Sequence, residues 1–339
     1  MKIPFQKLPP DAFVLDSHEL ESISKYLQSR GWLLESERVV AAARAGEGNM
    51  NYTLRVRTSD RSIIMKQARP WVEKYPHLPA PWNRALIEGR FYQLIGTQPA
   101  LAQRMPRLLG FDPKAHLLVL EDLGETQDFT DLYRGAALPQ EGLMALLQYL
   151  VDLHLAFRNY EAKSFFANPA MRELNHAHIF VIPLKRNNGL NLDSITPGLE
   201  AEAAQLRTDG PYTTAVFELG RRYLGNGDAL VHGDYFPGSW LRVPSGIKVI
   251  DPEFCFFGPA EFDLGVLIAH LYLARQPEIL VRKSLTDYQG AAPLNTRLTL
   301  QFAGVEIMRR LIGVAQLQLP YGVKHKAELL ALSRSLVLS

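Results

Sequence analysis

Residues 231–265 read VHGDYFPGSWLRVPSGIKVIDPEFCFFGPAEFDLG, and the fold turns on them. Two acidic clusters, His232-Gly233-Asp234 and Asp251-Pro252-Glu253, bracket a turn at Pro244-Ser245-Gly246 and a short apolar run from Ile247 to Ile250. Turn residues between two such runs spell a hairpin. A hairpin returns the chain to its starting end, so Asp234, Asp251 and Glu253 are expected at one end of a small sheet. Three carboxylates placed together repel unless a cation sits among them. Hard oxygen ligands suit Mg²⁺, which completes its shell with water and substrate phosphates. The stretch points to phosphoryl transfer, and the rest of the chain should then supply a nucleotide cradle.

Upstream, Val39 to Arg57 reads as a strand, a glycine-rich turn and an alternating strand, and Ser62 to Gln67 as a third strand. The turn Gly46-Glu47-Gly48-Asn49-Met50-Asn51 would let backbone N–H groups approach phosphate oxygens. A plain hairpin has the same composition, and the third glycine of the kinase loop is absent. Lys66 interrupts an apolar strand. A buried ammonium needs an anion, and Glu88, in the helical pattern Arg84 to Ile95, is the natural partner. In the kinase template such a pair holds the nucleotide phosphates. The plainer alternative is an edge-strand lysine whose stem covers apolar surface. Pro70 to Pro81, with its prolines, is expected to be a loop. Leu108 to Leu123 reads as a second hairpin. It runs into Glu121-Asp122-Leu123-Gly124, an extended segment able to face an adenine edge or simply an acidic linker.

The character changes after Gly124. Helical patterns follow at Glu141 to Phe157, Thr213 to Leu224, Phe262 to Leu273 and Leu298 to Leu317, and an earlier one, a capped amphipathic helix after Asp16-Ser17-His18, ends near Gly31. The expected organisation is α+β and bilobal. Residues 1–124 form a strand-rich nucleotide-binding lobe with one central helix, ending in a hinge at 121–124. Residues 125–339 form a mostly helical catalytic and substrate-binding lobe. A chain of 339 residues accommodates this. Its net charge of +2 argues against nucleic acid as a partner. The single cysteine, Cys255, rules out an intrachain disulfide and reads as a small buried apolar residue. Neither a signal-peptide core nor a bilayer-length apolar run is present. The expectation is a cytoplasmic protein with no membrane partner.

His232-Gly233-Asp234, with Ser239 five positions after the aspartate, mirrors the kinase catalytic loop H-R-D-x-x-x-x-N. On that reading Asp234 orients or deprotonates the attacking hydroxyl, Asp251 holds Mg²⁺ and Glu253 is a second ligand. Single Gly-Asp turns are common. Both clusters in order, downstream of a Lys/Glu pair, are not.

Here the chain resembles the aminoglycoside phosphotransferase-like small-molecule kinases, and within them the methylthioribose kinase branch. The matching stretches are GEGNMNYTLRV, IIMKQARPWV, LIEGRFY, LVLEDLG, LVHGDYFPGS, KVIDPEFCFFGPAEFDLG and FAGVEIMRRLIGVAQL, in order from residue 46 to residue 317. Related kinases more often carry Asn at the position of Ser239 and lack the glutamate at 253. The resemblance implies a protein-kinase-like bilobal fold with MgATP as donor. It puts Gly46, Gly48, Asn49, Asn51, Lys66 and Glu88 at the nucleotide and Glu121, Asp122 and Leu123 at the adenine. It puts Asp251, Glu253 and Ser239 on the metal side, and Asp234 at the hydroxyl of a small-molecule acceptor. Arg309 and Arg310 match a twin arginine that reaches the substrate and the transferring phosphate. Adjacent helix residues point about 100° apart, so both need not enter the site.

Acceptor alternatives within the same class are an aminoglycoside, an amino alcohol or another sugar. A non-catalytic nucleotide-binding protein is the reading from a different class. A homodimer is possible. The chain is shorter than the methylthioribose branch between Asp263 and Phe302. The loop carrying Trp71 and Trp82 and the segment Met171 to Leu184 also differ, and both bear on acceptor choice. His176 and His178 would share a face only on a strand, so a structural or surface role is preferred to a metal pair. His154 is expected to face the core.

Overall fold

The computed structural model describes residues 8, 9, 12–46 and 50–339. The chain divides into two compact units, Met1–Thr126 and Gln127–Ser339.

The first unit opens with α1 (Leu20–Ser29). β1 (Val39–Arg44), β2 (Tyr52–Thr58) and β3 (Ser62–Gln67) follow as an antiparallel meander. β4 (Trp71–Val72) and β5 (Tyr75–Pro79) form a separate short hairpin. After α2 (Arg84–Ile95) and α3 (Pro99–Ala102) come β6 (Leu108–Asp112) and β7 (Leu117–Glu121). The five long strands lie in the order β1-β2-β3-β7-β6. Alternation sorts their faces. Leu54 and Val56, Ile63 and Met65, and Leu117 and Val119 are buried in one core with Ile23 and Leu27 of α1. Lys66 follows Met65 and so belongs to the opposite face.

Two expectations are corrected. Pro70 to Pro81 is not a plain loop, because β4 and β5 pair within it. Only two strands take part, so prolines that lack an N–H sit there without breaking a ladder. The polar residues before α1 do not cap it either. Glu19 occupies the N-cap without a side-chain bond, and the Asp16 carboxylate accepts the His18 N–H locally, at 2.9 Å.

Arg84, at the first turn of α2, is fully buried. Its guanidinium donates to the Asn51 Oδ1 at 2.8 Å, to the carbonyls of Arg69 and Pro81 at 2.8 Å each, and to that of Met50 at 2.7 Å. One side chain thus ties the entry to β2, the exit from β3 and the start of α2. Hydrogen bonds to charged groups contribute about 1.5–3 kcal/mol each, and buried acceptors left unmade are expensive. Arg84→Leu should therefore lower the urea-unfolding free energy of this unit by about 3 kcal/mol or more. Unchanged stability in that titration would contradict the linking role.

The second unit begins with β8 (Gln127–Asp128) and α4 (Gln140–Ala156). α5 (Pro169–His176) passes directly into a π-helical turn, Ala177–Val181. α6 (Leu199–Thr208) and α7 (Gly210–Leu224) lead to β9 (Ala229–Val231), β10 (Trp240–Val243), β11 (Gly246–Val249) and β12 (Phe256–Gly258). α8 (Ala260–Leu273), α9 (Glu278–Ala291), α10 (Thr296–Ile312) and α11 (Val323–Leu338) complete it. The expected hairpin is β10–β11, with Val243 opposite Gly246. β8 adds to its other edge, and β9 pairs with β12.

α8 and α10 pack together as the centre of this unit. Every residue from Phe262 to Leu271 and from Phe302 to Ile312 is buried. A helix enclosed on all sides should be apolar all round. Asp263, His270, Glu306, Arg309 and Arg310 break that rule, and they mark the site. Among the described residues no helix is long and apolar enough to cross a membrane.

Candidate active site

β9 delivers the chain into His232-Gly233-Asp234, and a carboxylate from α8 anchors the loop. Asp263, fully buried, accepts the backbone N–H of His232 at 2.6 Å and of Gly233 at 3.0 Å. His154 of α4 lies 3.2 Å away through Nε2, and its Nδ1 contacts the Tyr288 hydroxyl at 2.7 Å. A carboxylate only accepts, so the Nε2 contact is a donation from the imidazole. Gly233 has φ +86, and a Cβ there would lie 2.3 Å from the Phe254 carbonyl oxygen. The loop thus passes so close to the Asp251–Glu253 segment that only glycine fits.

His232 joins the two acidic loops. Its Nε2 donates to the Ile250 carbonyl at 2.9 Å, and its Nδ1 accepts the Asp234 N–H at 3.4 Å. Ser239 donates its hydroxyl to the Asp234 carbonyl at 3.0 Å, while its own carbonyl accepts the Ile250 N–H. Asp251 follows with φ +63, the left-handed region that aspartate tolerates better than most residues. Glu253 is buried, and its backbone carbonyl is held by the Asn168 amide at 3.0 Å. Among the described residues, no three His, Cys, Asp or Glu side chains form a set able to hold a metal. The three acidic residues therefore do not gather around one point.

Asp234 faces guanidiniums instead. Arg310 reaches its Oδ1 at 3.2 Å and Arg309 the same atom at 3.7 Å. Both arginines are buried and enter from α10, so both members of the pair reach the site. Glu306, one turn earlier, makes this possible. Its carboxylate accepts from Arg310 Nε at 2.6 Å and from Arg309 at 3.0 Å. Burial would raise the Glu306 carboxyl, but the two guanidiniums override it and hold the group well below the carboxylate range. The Arg309 Nε–H is buried with no acceptor of its own among the described residues. Burial and the Arg309 charge also hold His178, on the π-helical turn, at about 4. His176 and His178 are helical and do not share a face.

In the first unit, Lys66 and Glu88 form a buried ion pair at 2.8 Å. The sheet face opposite α1 and the inner side of α2 bring them together, as their strand parity requires. Asn51 is buried beneath Arg84. The Asp122 carboxylate is held by Arg55 at 2.8 Å and by the Ser62 hydroxyl at 2.5 Å. The Glu121 N–H donates to the Arg107 carbonyl at 2.9 Å. Gly46 has φ +68, as its turn requires. Gly48 and Asn49 lie outside the described residues. Trp82 donates to the Ala68 carbonyl at 2.9 Å and stacks on His116, so it is a structural part of this unit.

A model of the phosphotransferase enzyme family matches residues 42–295. The chain belongs to that family. Methylthioribose kinase of Citrobacter koseri is 30% identical over 260 residues, covering 74% of this chain and 64% of that protein. The matched chain thus spans just under two thirds of that relative. Methylthioribose kinase of Exiguobacterium sibiricum is 28% identical over 329 residues, covering 81% and 80%. Choline kinase of Cryptosporidium parvum superposes with a TM-score of 0.56 at 15% identity, covering 94% of this chain and 96% of that one. That last likeness is one of fold, and the fold is the protein-kinase-like one expected.

The family match ends before α10, so Arg309 and Arg310 stand on their geometry. Three important residues carried no assigned role in the sequence reading. Asp263 and Glu306 were visible as acids inside apolar helical patterns, a placement that demands partners. Asn168 had only the Asn-Pro pair that starts α5 as a signal.

Two outcomes follow for this unit. Gly233→Ala should destabilise it by about 2 kcal/mol or more, since backbone would have to move at a positive φ; thermal unfolding measures this. His270, buried beside Glu306, gives a pH signature. Burial first, with the Arg310 charge, lowers its imidazole from 6.5 to about 4 against the pull of Glu306. Between those values the unfolded chain binds a proton that the folded one refuses. Stability should therefore fall as pH drops from about 6.5 to about 4, by up to about 3 kcal/mol from this residue. Urea unfolding across that range should flatten correspondingly in His270→Gln.

Proposed function

We propose that this chain is a small-molecule kinase that transfers the γ-phosphoryl group of ATP to a hydroxyl of a sugar-like acceptor, with methylthioribose as the first candidate. The carrying observation is Asp234, a carboxylate on a loop fixed by Asp263 and faced by two buried guanidiniums at 3.2 and 3.7 Å. Asp234 accepts the proton of the acceptor hydroxyl as the new P–O bond forms and the bond from the γ-phosphorus to the bridging oxygen breaks, releasing ADP. Arg309 and Arg310 offset the charge that spreads over the transferring phosphoryl oxygens, and the open Nε–H of Arg309 is a donor for one of them. Lys66, fixed by Glu88, orients the nucleotide phosphates. Leu123 reads adenine through its backbone. Gly46 and Asn51 serve the nucleotide phosphates, and Gly48 and Asn49 are assigned to the same role from the sequence.

Two carboxylates, Asp251 and Glu253, offer the hard oxygen ligands that suit Mg²⁺. That ion takes one or two protein carboxylates and draws its other ligands from phosphates and water. When bound it neutralises phosphate charge. The Ser239 hydroxyl spends its proton on the Asp234 carbonyl and keeps lone pairs for the metal side.

The likeness to methylthioribose kinases supports a sugar-like acceptor ahead of an aminoglycoside or an amino alcohol. A non-catalytic nucleotide binder would have no use for two arginines aimed at Asp234.

Asp234→Asn should reduce phosphoryl transfer by about a thousandfold or more while MgATP affinity, read by calorimetry, stays nearly constant. Equal losses of both would refute the assigned role. Lys66→Ala should raise the KM for ATP, and chelation of divalent cations should abolish turnover. An ATP-consumption screen over methylthioribose, pentoses, amino alcohols and aminoglycosides, with product mass as readout, decides the acceptor. Turnover of a cationic acceptor without methylthioribose would overturn the sugar assignment.

A further inference from the structure

Behind the twin arginines lies a buried polar chain that the proposed chemistry does not use. Glu306 stands on α10, His270 on α8 and Tyr133 on the single turn Thr130–Arg134. The Tyr133 hydroxyl lies 2.6 Å from His270 Nδ1, and His270 Nε2 lies 3.3 Å from Glu306 Oε1. Phe236, two residues after Asp234, packs between Arg310, whose guanidinium is 4.6 Å from its ring centre, and the His270 ring. Buried polar groups are often replaceable by apolar ones of similar volume without loss of stability. Packing alone therefore does not account for this set.

The proton positions follow from the partners. Glu306 is ionised between two guanidiniums and can only accept. His270 Nε2 must then donate to it, which leaves the Nδ1 lone pair to accept the Tyr133 O–H. Burial keeps the Tyr133 hydroxyl protonated and the His270 ring neutral. All donors thus run one way, toward Glu306. This matters because both arginines sit on the same helix as Glu306. Contacts within α10 alone would let the carboxylate and the guanidiniums turn together. The N–H from α8 supplies an outside reference that fixes which edge of the carboxylate faces Arg310.

We propose that Tyr133, His270 and Glu306 are positioning residues that aim Arg309 and Arg310 at Asp234, with the His270 N–H as the fixing contact. The proposal rests on the kinase reading of Asp234. None of the three touches reacting atoms. Their effect is on where the guanidiniums point.

The test compares His270→Gln, which keeps an N–H donor toward Glu306, with His270→Leu, which keeps the bulk and removes the donor. Full-length protein is read in two ways. One is hydrogen exchange of the Arg310 Nε–H by NMR, which needs no acceptor. The other is kcat and the KM for ATP with methylthioribose. His270→Gln should keep both near the parent values. His270→Leu should speed exchange and lower kcat about tenfold or more with the KM for ATP unchanged. Tyr133→Phe removes one atom and should move both readouts in the same direction by less. A space-filling role gives the reverse order, with Leu at least as good as Gln, and that result overturns the proposal. If His270→Leu does not fold, unchanged exchange in Tyr133→Phe overturns it instead. If Asp234→Asn retains transfer, the role assigned to Asp234 falls, and Arg310 exchange still judges the positioning relay separately.

Discussion

An ionised carboxylate survives in an apolar interior only where donors surround it, and the second unit is built around that requirement. Asp263 sits in a helix with no solvent face. The donors that satisfy it are two consecutive backbone N–H groups of the acidic loop and one imidazole. The need to satisfy the charge and the need to hold the loop are met by the same bonds. Removing any donor would leave the carboxylate short, so the loop has one acceptable conformation. Glu306 repeats the device one helix away, with guanidiniums as donors. Two costly acids thus set the backbone and the side chains around Asp234.

The same logic, scaled down, organises the first unit. There the buried charge is a cation, Arg84, and the acceptors are carbonyls at three bends of the chain. The Lys66–Glu88 pair crosses from sheet to helix and is buried on both sides. Breaking such a pair by removing one partner costs about 3–5 kcal/mol, far more than an exposed pair. The strand parity that places Lys66 opposite the α1 core is therefore reinforced by the helix it meets.

Much of this was legible in the sequence. β3 and α2 fall on the residues their patterns indicated, β3 from the apolar run ahead of Lys66 and α2 from its helical spacing. The hairpin between the two acidic loops was legible from its turn residues. Other parts were not. Residues 171–184, which hold most of α5 and its π-helical turn, carry no periodicity that assigns them to helix or strand. The prolines of residues 70–81 disguised a two-stranded hairpin, since short edges tolerate what a central strand does not. The convergence of Arg309 and Arg310 was hidden for another reason. Helical geometry alone sets adjacent side chains apart, and only a shared acceptor one turn back draws them together. The significance of Asp263 and Glu306 lay in their burial, which periodicity suggests but does not measure.

The quartet Asp234, Glu306, Arg309 and Arg310 carries two negative and two positive charges, so at rest it sums to zero. On the proposed chemistry Asp234 gains a proton during transfer, and the quartet is left with one uncompensated positive charge. That charge appears beside a newly formed phosphate ester and favours holding it. Product departure is then coupled to the return of the Asp234 proton to solvent. On that chemistry, the arrangement that eases bond formation would also tie the departure of the product to that of the proton.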